Sequence, residues 1–339
     1  MTQSTALSSS NQYYSHSGQV PPAGLFAGVL VGALAAIVGG VAYGYADHYL
    51  RFIYLHVVMT FAFGALLGWA PARAMLSANV RNTAAVVLFC FFTALAGYYV
   101  AWIAWLCALY QDLNVPISVT RLLASPHWMY RIVLHLNEFG VWGMERGSPV
   151  KGDLLWSVWL IEAVIIFTTA AAVSRKIARK RPFCESCRRW AAGPLTLAST
   201  SVLDPADLKQ RLESRQYDFV PQLPRFGGIA GEYLAWEYFQ CPACKEFNAL
   251  SVSRIIVARD KRGRTTKTRR TIIEKLLLAS SDIARLQAKP AAPAPPPAAI
   301  PSPAAAPTPP APPIPAPPIP APPQIEPLPH RPNDRLLDL

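Results

Sequence analysis

Apolar residues in this chain fall into four long blocks, and a mixed polar half with a different rhythm follows them. Residues 23–45, 52–70, 84–110 and 154–174 carry almost no charge. A stretch of about 20 residues at about 1.5 Å rise crosses a hydrocarbon layer of about 30 Å, so each block predicts one transmembrane helix. Buried helices of a soluble core are the competing reading, and the block lengths favour spans. Short-loop Lys and Arg set the orientation. Arg73 and Arg81 lie between the second and third blocks, and Arg175, Lys176, Arg179, Lys180 and Arg181 follow the fourth. Both flanks are therefore expected in the cytoplasm, with N- and C-termini inside, a short outer turn (46–51) and a long outer loop (111–153). Arg121, Arg131, Arg146 and Lys151 in that loop argue the other way, but loop length dilutes their weight. Residues 1–22 hold no Lys or Arg, lack the pattern of a cleaved signal, and are expected to be disordered.

Within the first block small residues recur every fourth position: Gly24, Gly28, Gly32, Ala36, Gly40 and Gly44. The second block repeats the pattern with Thr60, Gly64 and Gly68. Four-residue spacing keeps such positions on one helix face, where a second backbone approaches closely. The short turn between the blocks makes them antiparallel neighbours, so the stripe predicts packing of span one on span two. A homo-oligomer seam is the alternative. Glu162 is the acidic residue set deep in a block, and His56 and Tyr98 fall at similar depth. A charge at mid-bilayer is costly, so a Glu162–His56 or Glu162–Tyr98 hydrogen bond is expected inside the bundle. Such a glutamate either orders the bundle in its protonated form or serves a proton or substrate relay. Transporter signatures (a second acid, a broken helix, an internal repeat) are not apparent. In the outer loop, Ser125, Pro126 and Gly140 bound a short helix. Its apolar side (Trp128, Met129, Ile132, Val133, Leu136) fits the headgroup region, and His135 with Glu138 reads as part of a solvated face.

The polar half alternates as strands do. Glu232–Gln240, Leu250–Arg259 and Arg264–Ile273 read as strands, with Asp260–Gly263 as a hairpin turn. Asp204-Pro205 opens a helix that carries Leu208 and Leu212 on one face. Two close cysteine pairs flank this region: Cys184-x-x-Cys187 and Cys241-Pro-Ala-Cys244. Two C-x-x-C turns bring four thiolates onto one ion, which is a tetrahedral sulfur shell. The arrangement resembles the zinc-ribbon class over Cys184–Trp190 and Tyr233–Arg270, and the resemblance implies structural zinc. It departs from that class in two ways. Arg188 and Lys245 stand where glycine often follows, and the pairs lie farther apart than the usual spacing of about 15–20 residues. A rubredoxin-type iron, a redox C-x-x-C and an unmetallated set remain open. Cys90 and Cys107, inside the third block, read as packing residues.

Composition adds charge to this picture. The 339 residues are 52% hydrophobic and only 15% charged, yet the net charge is +12. Most of that excess lies between 175 and 275. Arg254, Arg259, Lys261, Arg262, Arg264, Lys267, Arg269 and Arg270 form a basic ribbon suited to anionic headgroups. Nucleic acid is the weaker reading, because few aromatics interleave for base stacking. From 289 onward Pro and Ala dominate; this tail is expected to be disordered, extended polyproline II, a spacer or a docking segment for protein partners. The expected class is an α-helical membrane protein: four spans (23–174), a small β-rich zinc-ribbon-like domain (175–288) and the tail (289–339). That layout resembles uncharacterised bacterial membrane proteins with a cytoplasmic domain bearing two C-x-x-C motifs. A scaffold or adaptor in the bacterial cytoplasmic membrane is the favoured function. Transport or proton-linked work at Glu162 comes next, and nucleic-acid binding by the ribbon third. No catalytic motif stands out.

Overall fold

A computed structural model describes residues 12–50, 52–141, 149–227, 231–259 and 264–287. The expected turn with Lys261 and Arg262, and the Pro/Ala-rich tail, lie outside the described residues. Among the described residues, four helices are long and apolar enough to cross a membrane. They are α1 (Pro22–Tyr49), α2 (Ile53–Ser77), α3 (Thr83–Asp112) and, after the short α4 (Val119–Ala124) and α5 (Pro126–Phe139), α6 (Asp153–Ala178).

Helix α2 does not stop at Pro71, where the apolar block ends. An interior proline removes one helix hydrogen bond and costs about 3 kcal/mol. The turn beyond it is anchored by Ala72 and Met75, both fully buried with Val80, Val86, Cys90 and Ala178.

The glycine stripe of α1 is divided: Gly24 and Gly28 meet the end of α2 and the turn after it, as expected for packing on span two, while Gly32, Gly40 and Gly44 face α3. A Cβ at Gly28 would sit 2.7 Å from Met75 of α2, one at Gly32 3.0 Å from Thr93 Oγ1, and one at Gly40 2.7 Å from the Gly97 carbonyl oxygen. At Gly44 it would run into the Ala101 carbonyl, while Gly24 lies under Val80 of the α2–α3 turn. Gly64 and Gly68 of α2 are pressed against Ile166 and Ala170 of α6. Contact between α1 and α2 also runs through Gly39, which meets Phe63 and Leu66. Four-residue spacing defines a smooth face; it does not say which neighbour uses it. Here the stripes are occupied by helices of the same chain.

At the far end, α5 buries Met129, Val133 and Asn137, one per turn, beside Trp102, Leu155 and Trp159 of α3 and α6. It is docked on the bundle through that side. His135 and Glu138 stand 3.8 Å apart on the exposed side.

Beyond α6 the chain turns into sheet. A two-stranded hairpin, β1 (Phe183–Cys184) and β2 (Arg189–Trp190), precedes β3 (Ala192–Thr200). Helix α7 (Pro205–Glu213) follows, with the Asp204 carboxylate accepting from the Ala206 and Asp207 N–H groups. Then come β4 (Gly231–Gln240), β5 (Asn248–Arg259), β6 (Thr265–Leu278) and α8 (Ser280–Gln287). Strands β3, β4, β5 and β6 form one antiparallel meander in that order. The insertion between the cysteine pairs is thus folded: β3 extends the sheet and α7 covers it. Leu208 and Leu212 of α7 and Ile283 and Leu286 of α8 close over Leu234, Trp236, Leu250, Val252, Ile273 and Leu276. The Trp236 indole N–H donates to Thr200 Oγ1 at 2.9 Å.

Residues 12–21 correct the expectation of a disordered N-terminus as far as they are described. Tyr13 bridges to Leu276 on the β6 edge, Tyr14 N–H donates to the Lys275 carbonyl, and Leu277 N–H donates to the Gln12 carbonyl. This strap links the sheet to the start of α1. The N-terminal strap, the α2–α3 turn and the end of α6 therefore lie at one end of the bundle, beside the sheet.

Candidate metal centre

The four cysteines of the two C-x-x-C motifs converge. Their Sγ atoms all lie within 4.8 Å of one another, and Cys184 Sγ is 3.9 Å from Cys244 Sγ. A zinc ion with Zn–S bonds of about 2.3 Å in a tetrahedron requires sulfurs about 3.8 Å apart. The cluster therefore fits one tetrahedral ion held by Cys184, Cys187, Cys241 and Cys244, which would cross-link two separate hairpins. Cys184 and Cys241 are buried, while Cys187 and Cys244 are half-buried.

Each pair sits on a tight turn. The first joins β1 to β2, and the second joins β4 to β5. Arg188 follows the first turn at φ 52° and Lys245 the second at φ 58°. These are the positions where the zinc-ribbon class often carries glycine. A left-handed backbone costs an ordinary residue about 1–2 kcal/mol, so these turns hold a conformation that their sequence does not favour. The Lys245 N–H closes the second turn on the Cys241 carbonyl at 3.1 Å.

The thiols differ in acidity. Burial pushes Cys184 up to about 12, and Cys187 is raised first by its hydrogen bond with Cys244. Burial also works against the Cys244 thiolate, but the backbone N–H groups of Phe247 and Glu246 bring it down to about 7. A metal binds thiolates, so it would displace protons from this set, from Cys184 above all.

The first cysteine turn is also a docking element. Glu185, between Cys184 and Cys187, pairs with Arg81 of the α2–α3 turn. Arg81 is only 5% exposed, its guanidinium lies over the Phe183 ring at 4.6 Å, and Nη2 donates to Gln19 Oε1 at 2.6 Å. The Trp190 indole N–H donates to the Leu76 carbonyl at the end of α2. The Phe183 N–H donates to the Tyr14 hydroxyl at 2.9 Å, and burial pushes that phenol up to about 12, keeping it neutral. On the other flank the Lys275 ammonium donates to the Arg179 carbonyl that ends α6. In the sequence Arg81 reads only as a short-loop charge that sets orientation; nothing in its local pattern marks it as buried.

The remaining expected site residues are scattered. Glu162 Oε1 forms a hydrogen bond with Tyr43 Oη at 2.9 Å. Among the described residues, neither His56 nor Tyr98 hydrogen-bonds to it. His56 pairs with Asp47, and the Tyr98 ring packs on Trp102 and Phe167. Asp47 was excluded by ending the first span at Tyr45, but α1 runs on to Tyr49 and brings a second acid to this end. Of the basic ribbon, Arg254 pairs with Glu232, and Arg269 spans β5 to reach Glu237 at 2.6 Å. The acids come from β4, a strand away in sequence, so these two guanidinium groups are already occupied. Lys267 and Arg270 are exposed, and Arg259 and Arg264 also make contacts within the chain. Compared with known protein families, with curated proteins and with solved structures, the chain returns no match.

Proposed function

We propose that this chain is a membrane-embedded adaptor in which a structural zinc ion fastens a sheet module to the end of four spans. The observation that carries the reading is double use of one turn. The loop that presents Cys184 and Cys187 also presents Glu185 to Arg81, and Trp190 follows it onto the end of α2. An ion that rigidifies this turn rigidifies the junction. Four thiolates fill a tetrahedral shell and leave no position for water or substrate, which supports a structural role over a catalytic one. Reduced thiols imply the cytoplasmic side, and the basic residues after α6 agree with that side. Lys267 and Arg270, with the basic stretch 175–181, support contact with anionic headgroups. The Pro/Ala-rich tail supplies reach toward protein partners.

The test is elemental analysis of the full chain purified in detergent, beside Cys184→Ser. One zinc per chain in the native protein and its loss in the variant are expected. Iron with visible absorption would replace zinc by a rubredoxin-type site, and an ion-free chain with an intact module would end the reading. Truncation at residue 289 is expected to abolish capture of cytoplasmic partners; unchanged partners would remove the adaptor role.

A further inference from the structure

At the end of the bundle away from the cysteines, three short contacts line up in series. Glu162 Oε1 lies 2.9 Å from Tyr43 Oη, Tyr43 Oη lies 2.9 Å from Thr60 Oγ1, and Thr60 Oγ1 lies 2.8 Å from the His56 carbonyl oxygen. Tyr43 is 6% exposed and Thr60 1% exposed, so solvent does not serve them. A phenol and a threonine hydroxyl carry one hydrogen each. Three hydrogen bonds therefore have two hydrogens between them, and both terminal atoms, a carbonyl and a carboxylate, are acceptors. The third hydrogen has one available source: the carboxyl group itself.

We propose that Glu162 is a proton-binding site, its carboxyl proton completing a hydrogen-bond chain from Glu162 through Tyr43 and Thr60 to the His56 carbonyl. With the proton bound, each group donates to the next. When the proton leaves, the direction must reverse: Tyr43 turns its hydrogen to the carboxylate, Thr60 turns to Tyr43, and the His56 carbonyl loses its hydroxyl donor. The proton passes to water beside the Asp47–His56 pair, whose side chains are 23% and 26% exposed. Tyr43 stacks on Phe63 at 4.6 Å, and Ala36, Leu67, Ala94, Ala101, Ile166 and Ala170 close the interior beyond. The site thus holds its proton between the Asp47–His56 pair and the packed interior. The titratable groups that surround Glu162 are Tyr43 and Asp47 from α1, His56 from α2 and Tyr98 from α3; the His48–Asp112 pair joins α1 to α3 farther out. Intramembrane carboxyls of this kind are retained for function or for bundle order. This site stands apart from the cysteine centre and does not depend on its metal.

Infrared difference spectroscopy of the full chain in lipid vesicles tests it. At neutral pH a protonated-carboxyl stretch is expected, absent in Glu162→Gln and shifted in Tyr43→Phe, which deletes the acceptor. A band that survives Glu162→Gln and disappears in Asp47→Asn would move the proton to Asp47 and overturn the assignment, as would absence of any such band at neutral pH. A band unmoved by Tyr43→Phe would overturn the chain. If Glu162→Gln fails to fold, Tyr43→Phe still decides.

Discussion

The helical bundle and the sheet module solve the same packing problem in opposite ways. The bundle removes side chains: Gly40 and Gly44 of α1 let α3 approach to backbone contact, and Gly64 and Gly68 do the same between α2 and α6. The sheet inserts large ones: Trp236, Tyr217 and a shell of leucines fill the space under α7 and α8. A bundle in lipid, which these helices are long and apolar enough to cross, would gain little from burying apolar surface, because lipid is as apolar as leucine, so close contact would supply the attraction. A small water-facing domain gains from burial but has a modest core, and the proposed metal cross-link would add what the core lacks.

The largest effect that would sharpen this contrast is Cys184→Ser. Metal loss and unfolding of the sheet module are expected, with the bundle's helical content kept, as read by elemental analysis and circular dichroism. Simultaneous loss of both regions would mean that they are one cooperative unit. Trp236→Ala empties a fully buried position and should destabilise the module by about 3–5 kcal/mol, measured by chemical denaturation of the metal-loaded chain. Arg81→Ala should cost about 1.5–3 kcal/mol at the junction. Hydrogen exchange at Phe183–Trp190 should rise while metal content stays unchanged; protection left intact would show that the cysteine turn is rigid without its dock. Gly68→Ala places a methyl against the Ala170 backbone and should cost about 1–3 kcal/mol by overpacking. Its effect should appear in detergent melting of the bundle and leave the zinc content alone. Smallest is Glu232→Gln, which breaks a half-exposed pair with Arg254 worth about 0.2–1 kcal/mol and is expected to leave stability nearly unchanged. A measurable gain in binding to anionic vesicles would then report the released guanidinium.

The sequence by itself determined the parts whose signals are local. Block length and apolarity determined four helices, because crossing hydrocarbon demands a run of about 20 residues. Alternation marked β4, the turn at 260–263 marked β5 and most of β6, Asp204-Pro205 marked α7, and paired cysteines marked four side chains that converge. Tertiary structure decided what depends on which surfaces meet. It divided the α1 stripe between α2 and α3, since any helix accepts a smooth face. It carried α2 through Pro71, since buried Ala72 and Met75 outweigh one lost hydrogen bond. It paired Arg254 with Glu232 on the adjacent β4 and Arg269, across β5, with Glu237, since strand register decides which side chains meet. It took Arg81 out of water, brought Asp47 to His56, and set Tyr43 and not Tyr98 on Glu162. Burial and partnership are relations between distant positions, and only the folded chain brings those positions together.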